Sequence, residues 1–342
     1  MNVGVVGATG VVGGEMLRTL EEREFPVDDL RAYASPRSEG RRLPFAGRDV
    51  VCEVLRDGCF DGLDLVIVDV DDPLAELWAP VAAAAGAKVV DNSAAFRMDP
   101  DVPLVVPEIN PDDLRRMPKG IAASPNCTTA VLVMALAPLH RAAGIERVVT
   151  ATYQSVSGAG QPGLRELDEQ WTKGDGQADV FRRAGALDGV IAPGEVWDRP
   201  IAGNVIPLAG SVREQGYTSE EWKLLHESRK ILHAERMTVS MTCVRVPVYV
   251  GHAHAANIRF SRPMSRAEAV ELLSDAPGVQ LVDDGDGYPT PLESAGVDPV
   301  LVGRVREDPS EPGSLNIWVT GDNLRKGAAL NSVQIAELLA RG

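Results

Sequence analysis

The run Gly7-Ala8-Thr9-Gly10-Val11-Val12-Gly13-Gly14 constrains this chain more than any other feature. It directly follows the short apolar segment Asn2–Val6 and precedes an amphipathic stretch from Glu15 to Arg23. A buried strand that feeds a glycine turn opening a helix lets backbone amides approach an anion. The helix adds unpartnered N–H groups and the positive end of its dipole. The spacing Gly7-x-x-Gly10-x-x-Gly13 differs from the commonest dinucleotide fingerprint, but its mechanics are the same. A turn that meets no ligand is the competing reading. The strand before it and the helix after it favour a dinucleotide.

Apolar strands then alternate with helical patterns: Leu30–Ala34, Leu65–Val68, a helix over Leu74–Ala85, and Lys88–Val90. This alternation predicts a parallel sheet wound by helices. Beyond Cys127 the texture changes. Val148–Ser155, Met237–Pro247 and Ala255–Phe260 read as strands among loops, and Leu330–Leu339 reads as a closing helix. The expected fold class is α/β, an N-terminal Rossmann-type parallel sheet with a second α+β domain. The polar, glycine-rich stretch Gly174–Gly189 reads as a surface loop or short helical excursion, and no internal repeat is apparent.

With 342 residues the chain is long enough for two well-filled domains. Its formal charge of −15 argues against nucleic acid or an anionic membrane surface as partner. An acidic chain that binds anions must concentrate its cations locally. Four cysteines at irregular spacing match neither a zinc pattern nor a secreted disulfide framework, so no metal site is expected. No apolar stretch has the length of a membrane span and no signal peptide precedes Val3, which points to the cytoplasm with reduced thiols.

Cys127 stands in Ser124-Pro125-Asn126-Cys127-Thr128-Thr129, at the mouth of the apolar stretch Ala130–Leu139. Orphan amides and the macrodipole at a helix start favour a thiolate, which is the nucleophilic form. A buried small hydrophobe is the ordinary alternative for a cysteine, and it suits Cys52, Cys59 and Cys243 better. After the second strand comes Ser35-Pro36-Arg37-Ser38, with Arg41 and Arg42 following and no acid until Glu39. An acid there would bond a ribose 2′-hydroxyl, whereas arginine accommodates a 2′-phosphate. Ser35, Arg37 and Ser38 therefore favour NADP over a merely solvated basic loop.

Further motifs are specific: Asp91-Asn92-Ser93-Ala94-Ala95-Phe96-Arg97, Val106-Pro107-Glu108-Ile109-Asn110, the segment around Cys127, and Tyr153-Gln154-Ser155-Val156-Ser157-Gly158-Ala159-Gly160. To these add Glu220-Glu221-Trp222-Lys223, Cys243-Val244-Arg245-Val246-Pro247 and Gly321-Asp322-Asn323-Leu324-Arg325-Lys326-Gly327. Together they resemble the aspartate-semialdehyde dehydrogenase family over nearly the whole chain. The resemblance implies Cys127 as nucleophile, Gln154 positioning the reacting group and His252 as acid/base. Arg245 would grip a substrate carboxylate and Glu220 its amino group, while Arg97, Lys223 and Asn126 hold phosphate. Gly7, Thr9, Gly10, Val11, Val12 and Gly13 map to the cofactor turn, and Ser157, Gly158 and Asn323 to the nicotinamide end.

The domains expected on this basis are a dinucleotide-binding domain over 1–126, with the terminal segment 323–342 packing back on it, and a catalytic and dimerisation domain over 127–322. The implied reaction is NADPH-dependent reductive dephosphorylation of L-aspartyl-4-phosphate to L-aspartate 4-semialdehyde through a cysteine thioester. It would feed lysine, methionine and threonine synthesis in a homodimer or homotetramer. Several alternatives stand beside it: a reductase for an N-acetylglutamyl-like acyl phosphate, a specialised paralogue, and a non-catalytic cofactor-binding protein. Glu220 and Lys223, three apart, also read as a surface ion pair. One departure stands out. Where the family carries a small serine/glycine-rich loop after Leu65–Val68, this chain has Asp69-Val70-Asp71-Asp72-Pro73. Carboxylates that face a phosphate-bearing ligand would repel it, and outward-pointing ones would matter little.

Overall fold

The computed structural model describes residues 1–182, 189–282 and 287–341. It divides into two compact units. One comprises Met1–Ala137, His226–Arg236 and Leu324–Gly342, and the other Pro138–Leu225 and Met237–Asn323.

The first unit begins with β1 (Asn2–Val6) and α1 (Val11–Glu22), followed by β2 (Asp29–Tyr33). A hairpin of β3 (Arg42–Phe45) and β4 (Arg48–Glu53) comes next, then β5 (Leu65–Val68), α2 (Asp72–Ala84), β6 (Lys88–Asp91) and β7 (Ile121–Ala123). The strands form one sheet in the order β3-β4-β2-β1-β5-β6-β7, parallel except where β3 meets β4. All four residues of β5 are buried, as expected of a central strand covered on both faces. The strand order reverses at β1, flanked by β2 and β5. Open parallel sheets bind ligands at the carboxyl ends of the strands beside such a switch.

Two features differ from the sequence-based expectation. First, α1 starts at Val11, four residues before Glu15, where the helical pattern was expected to begin. Glycine and valine are weak helix formers, so packing rather than propensity starts it there. Second, the basic stretch after Ser38 enters a hairpin that closes on Ala46 and Gly47, both with positive φ (49° and 73°). A two-residue turn of that kind matches the strand twist. Arg42 is used within it, 3.6 Å from Asp49.

The chain continues into α3 (Cys127–Ala143). The second unit carries β8 (Ile145–Gln154), α4 (Gly160–Gly174), α5 (Ser219–Ile231), β9 (Thr238–Arg245) and β10 (His252–Phe260). After them come α6 (Arg266–Ser274), β11 (Val279–Val282), α7 (Pro291–Ser294), β12 (Val300–Glu307) and β13 (Leu315–Gly321). Its mixed sheet has the order β11-β12-β13-β10-β8-β9. Burial alternates along β8, with Val148, Thr150, Thr152 and Gln154 covered and Val149, Ala151 and Tyr153 half-open. One face of this sheet is therefore packed and the other only partly covered. Within the expected excursion Gly174–Gly189, Gly174 closes α4 and a short 3₁₀ turn spans Ala178–Phe181, while residues 183–188 lie outside the described residues.

The last helix, α8 (Leu330–Arg341), belongs to the first unit. Its Val333, Ile335, Ala336 and Leu339 share a core with Val3, Val5, Met16, Leu20, Leu65 and Ile67. Charged pairs bind the segment before it: Arg325 to Glu15 (2.8 Å) and Glu22 (2.7 Å), and Lys326 to Glu108 (2.5 Å). Asn331 donates to Val105 O and to Ser124 Oγ, joining the tail to the Val106-Pro107-Glu108 and Ser124-Pro125-Asn126 motifs.

The glycines of the first turn differ in what they tolerate. A Cβ on Gly13 would lie 2.2 Å from Gly7 O and 2.8 Å from Ala8 Cα, whereas one on Gly14 would meet nothing within 4 Å. Gly13→Ala should therefore lower stability by roughly 2–4 kcal/mol, and Gly14→Ala should raise it by up to ~1 kcal/mol. Urea unfolding of the two variants checks the contrast, and equal effects would contradict it.

Candidate active site

In the first unit the glycine turn has the properties a pyrophosphate needs. Gly7 takes φ +88°, and its N–H and that of Ala8 donate to Tyr33 O, tying the turn to β2. Gly10 caps α1 and is exposed, with Thr9, Val11 and Val12 half-buried beside it. Gly13 is buried where helix and turn meet too closely for a side chain. Ser35 begins a 3₁₀ turn, Pro36–Ser38, just past β2. Ser35 and Arg37 are exposed and Ser38 is half-buried.

Cys127 is the first residue of α3 and is half-buried. Asn126 caps this helix: its Oδ1 accepts from the N–H of Thr128 (3.0 Å) and of Thr129 (3.4 Å). Of the other cysteines, Cys52 and Cys243 are buried and Cys59 is half-buried. Burial pushes the Cys243 thiol up to about 12.

Arg97 is buried, and its guanidinium is held on three sides. Nε donates to Ser124 O (2.9 Å), Nη2 to Asn92 O (2.7 Å) and Nη1 to Glu227 (3.2 Å). Glu227, on α5 and also buried, accepts the Asn126 N–H at 2.7 Å through its other oxygen. One carboxylate thus sets both the arginine expected at phosphate and the residue before the thiol. Sequence reasoning missed it. The available signal was that a buried arginine requires an anionic partner. Nearby, burial raises Asp91 to about 6 despite the hydrogen bonds from Ser93.

In the second unit, strand register assembles another group. Gln154 ends β8 directly across from Arg245, which ends β9, and His252 begins β10 antiparallel to β8. All three are buried. Gln154 Oε1 accepts from Thr152 Oγ1 (3.0 Å), and Arg245 Nη1 donates to Ser155 O (2.6 Å). The Ser155 N–H donates to His252 Nδ1 (3.1 Å), with Ser155 Oγ equally near that nitrogen. A Cβ on Gly158 would lie 2.8 Å from Arg245 Nη1 and 3.4 Å from His252 Nε2, so glycine here leaves the pair room. Asn323 Oδ1 accepts from Ser155 Oγ, Ser157 Oγ and Gly251 N, and its Nδ2 donates to Ser157 Oγ. Burial, then the charge of Arg245, then that of His254, hold His252 well below 6.5, so the imidazole is neutral near pH 7.

Glu220 and Lys223 form a partly buried ion pair of 2.9 Å in the first turn of α5. Their neighbour Glu221 accepts from the N–H groups of Thr218 and Cys243, fastening α5 to β9. The structure therefore groups Arg97, Asn126, Cys127 and the glycine turn in one unit. Gln154, Ser157, Gly158, Glu220, Lys223, Arg245, His252 and Asn323 belong to the other.

Residues 2–117 match the family model described as semialdehyde dehydrogenase, NAD binding domain, and residues 136–326 match semialdehyde dehydrogenase, dimerisation domain. The aspartate-semialdehyde dehydrogenase of Streptomyces akiyoshiensis is 50% identical over 342 residues, covering 99% of this chain and 98% of its own. The chain belongs to the aspartate-semialdehyde dehydrogenase family. A crystal structure of aspartate semialdehyde dehydrogenase II from Vibrio cholerae, complexed with ASA, superposes with a TM-score of 0.93 at 42% identity, covering 99% of this chain and 98% of that one. The family enzyme from Candida albicans, solved with NADP, has a TM-score of 0.75 at 27% identity, with coverage of 99% and 98%.

Membership places an oxidoreductase fold around these residues, and two consequences of the geometry are measurable. Because the folded value of His252 lies below the 6.5 of the unfolded chain, the unfolded chain alone takes up this proton as pH falls. Stability should be lost below pH 6.5 at up to ~1.4 kcal/mol per pH unit from this group. His252→Gln should make that decline shallower in urea unfolding between pH 7 and 5, and an unchanged slope would assign the protons elsewhere. Glu227→Ala should destabilise by about 3 kcal/mol or more, because it strands a buried guanidinium. Glu227→Gln, still able to accept from Asn126 N, should cost less in the same assay.

Proposed function

We propose that this chain catalyses the reversible, NADPH-dependent reductive dephosphorylation of L-aspartyl-4-phosphate to L-aspartate 4-semialdehyde, a cytoplasmic step toward lysine, methionine and threonine. The observation that carries the reading is Cys127 itself: it alone of the four cysteines opens a helix, and it is half-buried rather than sealed. In this proposal the Cys127 thiolate attacks the acyl carbon and the C–O bond to phosphate breaks, leaving a thioester. A reduced nicotinamide, when bound at the glycine turn of Gly7, Gly10 and Gly13, would supply the hydride that reduction of such a thioester requires. Collapse of the thiohemiacetal formed on Cys127 releases the aldehyde and regenerates the thiolate, and the family likeness gives the accompanying proton transfer to His252. A neutral imidazole suits the transfer because it can gain or lose a proton at modest cost.

Arg245 offers a planar fork to the substrate carboxylate, and Glu220 offers an acceptor to its amino group. Gln154 positions the reacting group, and Arg97, Asn126 and Lys223 receive phosphate. The Glu220–Arg245 combination suits a free amino acid, which favours aspartyl over N-acetylated acyl phosphates. For the cofactor, the cramped Gly13 and exposed Gly10 fit a dinucleotide, with Ser157, Gly158 and Asn323 toward the nicotinamide end. The exposed Arg37 supports NADP, as does the relative solved with it. A homodimer or homotetramer is supported by the dimerisation-domain match and by the half-open sheet face of Val149, Ala151, Tyr153, Ala255 and Trp318.

Incubation with aspartate semialdehyde, phosphate and NADP should raise the absorbance of reduced nicotinamide, and Cys127→Ala should abolish this by at least ~10³-fold. NADPH binding should survive the substitution. Silence of the wild-type protein across neutral and alkaline pH would favour a non-catalytic cofactor-binding role. Substantial activity in Cys127→Ala would remove the thiol from the mechanism.

A further inference from the structure

The acidic loop after β5 divides into two kinds of carboxylate. Asp71 caps α2, accepting from the Leu74 N–H at 3.3 Å, and Asp72 accepts from the Ala94 N–H at 2.8 Å. Both are exposed and serve the local backbone. Asp69 is different. Its N–H donates to Val6 O (2.9 Å), which fastens the end of β5 to the end of β1, the two strands beside which the glycine turn opens. Its own carbonyl would lie 2.0 Å from a Cβ on Gly7. Its Oδ2 lies 3.9 Å from where a Cβ on Gly10 would stand, and its Oδ1 accepts from Asn92 Nδ2 at 2.8 Å. The half-buried Asp69 side chain is therefore turned toward the glycine turn itself.

We propose that Asp69 sets the affinity of this chain for its dinucleotide: the ionised carboxylate opposes a pyrophosphate at the glycine turn, and binding is strongest when Asp69 carries a proton. The inference rests on the dinucleotide reading of that turn and adds a proton to the binding equilibrium. A pyrophosphate brings two negative charges to amides that would otherwise favour it. A carboxylate beside the same turn repels the newcomer, and partial burial weakens the screening of that repulsion.

The surroundings allow the proton. Burial raises the Asp69 carboxyl above the usual range, with the Asn92 hydrogen bond and the charge of Arg97 acting against it. Neighbouring elements also carry Asp91 and Lys88 on β6, Asp71, Asp72 and Glu76 at and within α2, and Glu15, Arg18, Glu21 and Glu22 on α1. Glu15 is committed to Arg18 and Arg325. Arg97 is the cation acting on Asp69, and Glu227 shares that cation, which limits how far it can neutralise the aspartate.

The test is a titration of NADPH, followed by its own fluorescence, into the wild-type protein, Asp69→Asn, and the double variant Asp71→Asn/Asp72→Asn from pH 5 to 8.5. Asparagine keeps an acceptor oxygen for Asn92, so the loop is retained, and Asp69→Ser serves as a second variant. Wild-type affinity should fall as pH rises through the range in which Asp69 gives up its proton, and level off above it. At pH 8 both Asp69 variants should bind about tenfold tighter than wild type, with a flattened pH dependence. The double variant should follow wild type. Calorimetry in two buffers of different ionisation enthalpy should show proton uptake on binding to wild type and less to Asp69→Asn. Wild-type affinity and pH profile in Asp69→Asn would overturn the proposal, as would weaker binding, which would make Asp69 a ligand rather than an opponent. Absence of NADPH binding by every protein at every pH would instead overturn the dinucleotide reading, and this inference with it.

Discussion

The geometry of the first unit depends on one buried carboxylate. Glu227 is almost fully removed from water, and its two oxygens reach segments far away in sequence, Arg97 through one and the amide of Asn126 through the other. One turn along α5, Lys230 donates to the carbonyls of Arg97, Asp99 and Val102. The loop bearing Arg97 and the turn bearing Cys127 are thus located by the same helix. A desolvated ion pair adds little net stability over a well-packed apolar pair, but it strongly penalises arrangements in which either charge lacks its partner. Its value here is a single defined position for the residues around the thiol.

The second unit uses charge differently. Arg245 and His252 come from strands on either side of β8, and Gly158 lets them lie close together without intervening atoms. Burial, and after it the charge of the neighbouring guanidinium, keeps that ring uncharged at neutral pH. The cation that suits a carboxylate therefore adds to the burial that keeps the imidazole neutral. Separating the two functions would require moving a strand end.

Local patterns made much of this visible in the sequence. The glycine turn, the fully apolar β5 and the alternation around it predict a parallel sheet, and the burial of β5 on both faces follows from the same pattern. The helix start at Cys127 could be read from Pro125-Asn126 and the apolar run behind it. The remainder depends on partners distant in sequence. Nothing near Glu227 signals that it faces Arg97, 130 residues away, or that residues 226–236 return to the first unit. The hairpin at Ala46-Gly47 is obscured by the proline in its first strand and the charged residues of its second. The inward turn of Asp69 could not be separated from the outward turns of Asp71 and Asp72, because composition gives the charge but not the rotamer.

The closing segment has a bearing on how the molecule can be handled. Arg325 and Lys326 reach acidic side chains on α1 and in the Val106-Pro107-Glu108 motif before α8 completes the core. Clipping the carboxyl terminus upstream of these residues would not trim an appendage; it would strip Glu15 and Glu108 of these cations and open the apolar core that α8 completes. A chain terminated before Arg325 would lack a wall of the first unit's core and should not fold as a shortened version of it.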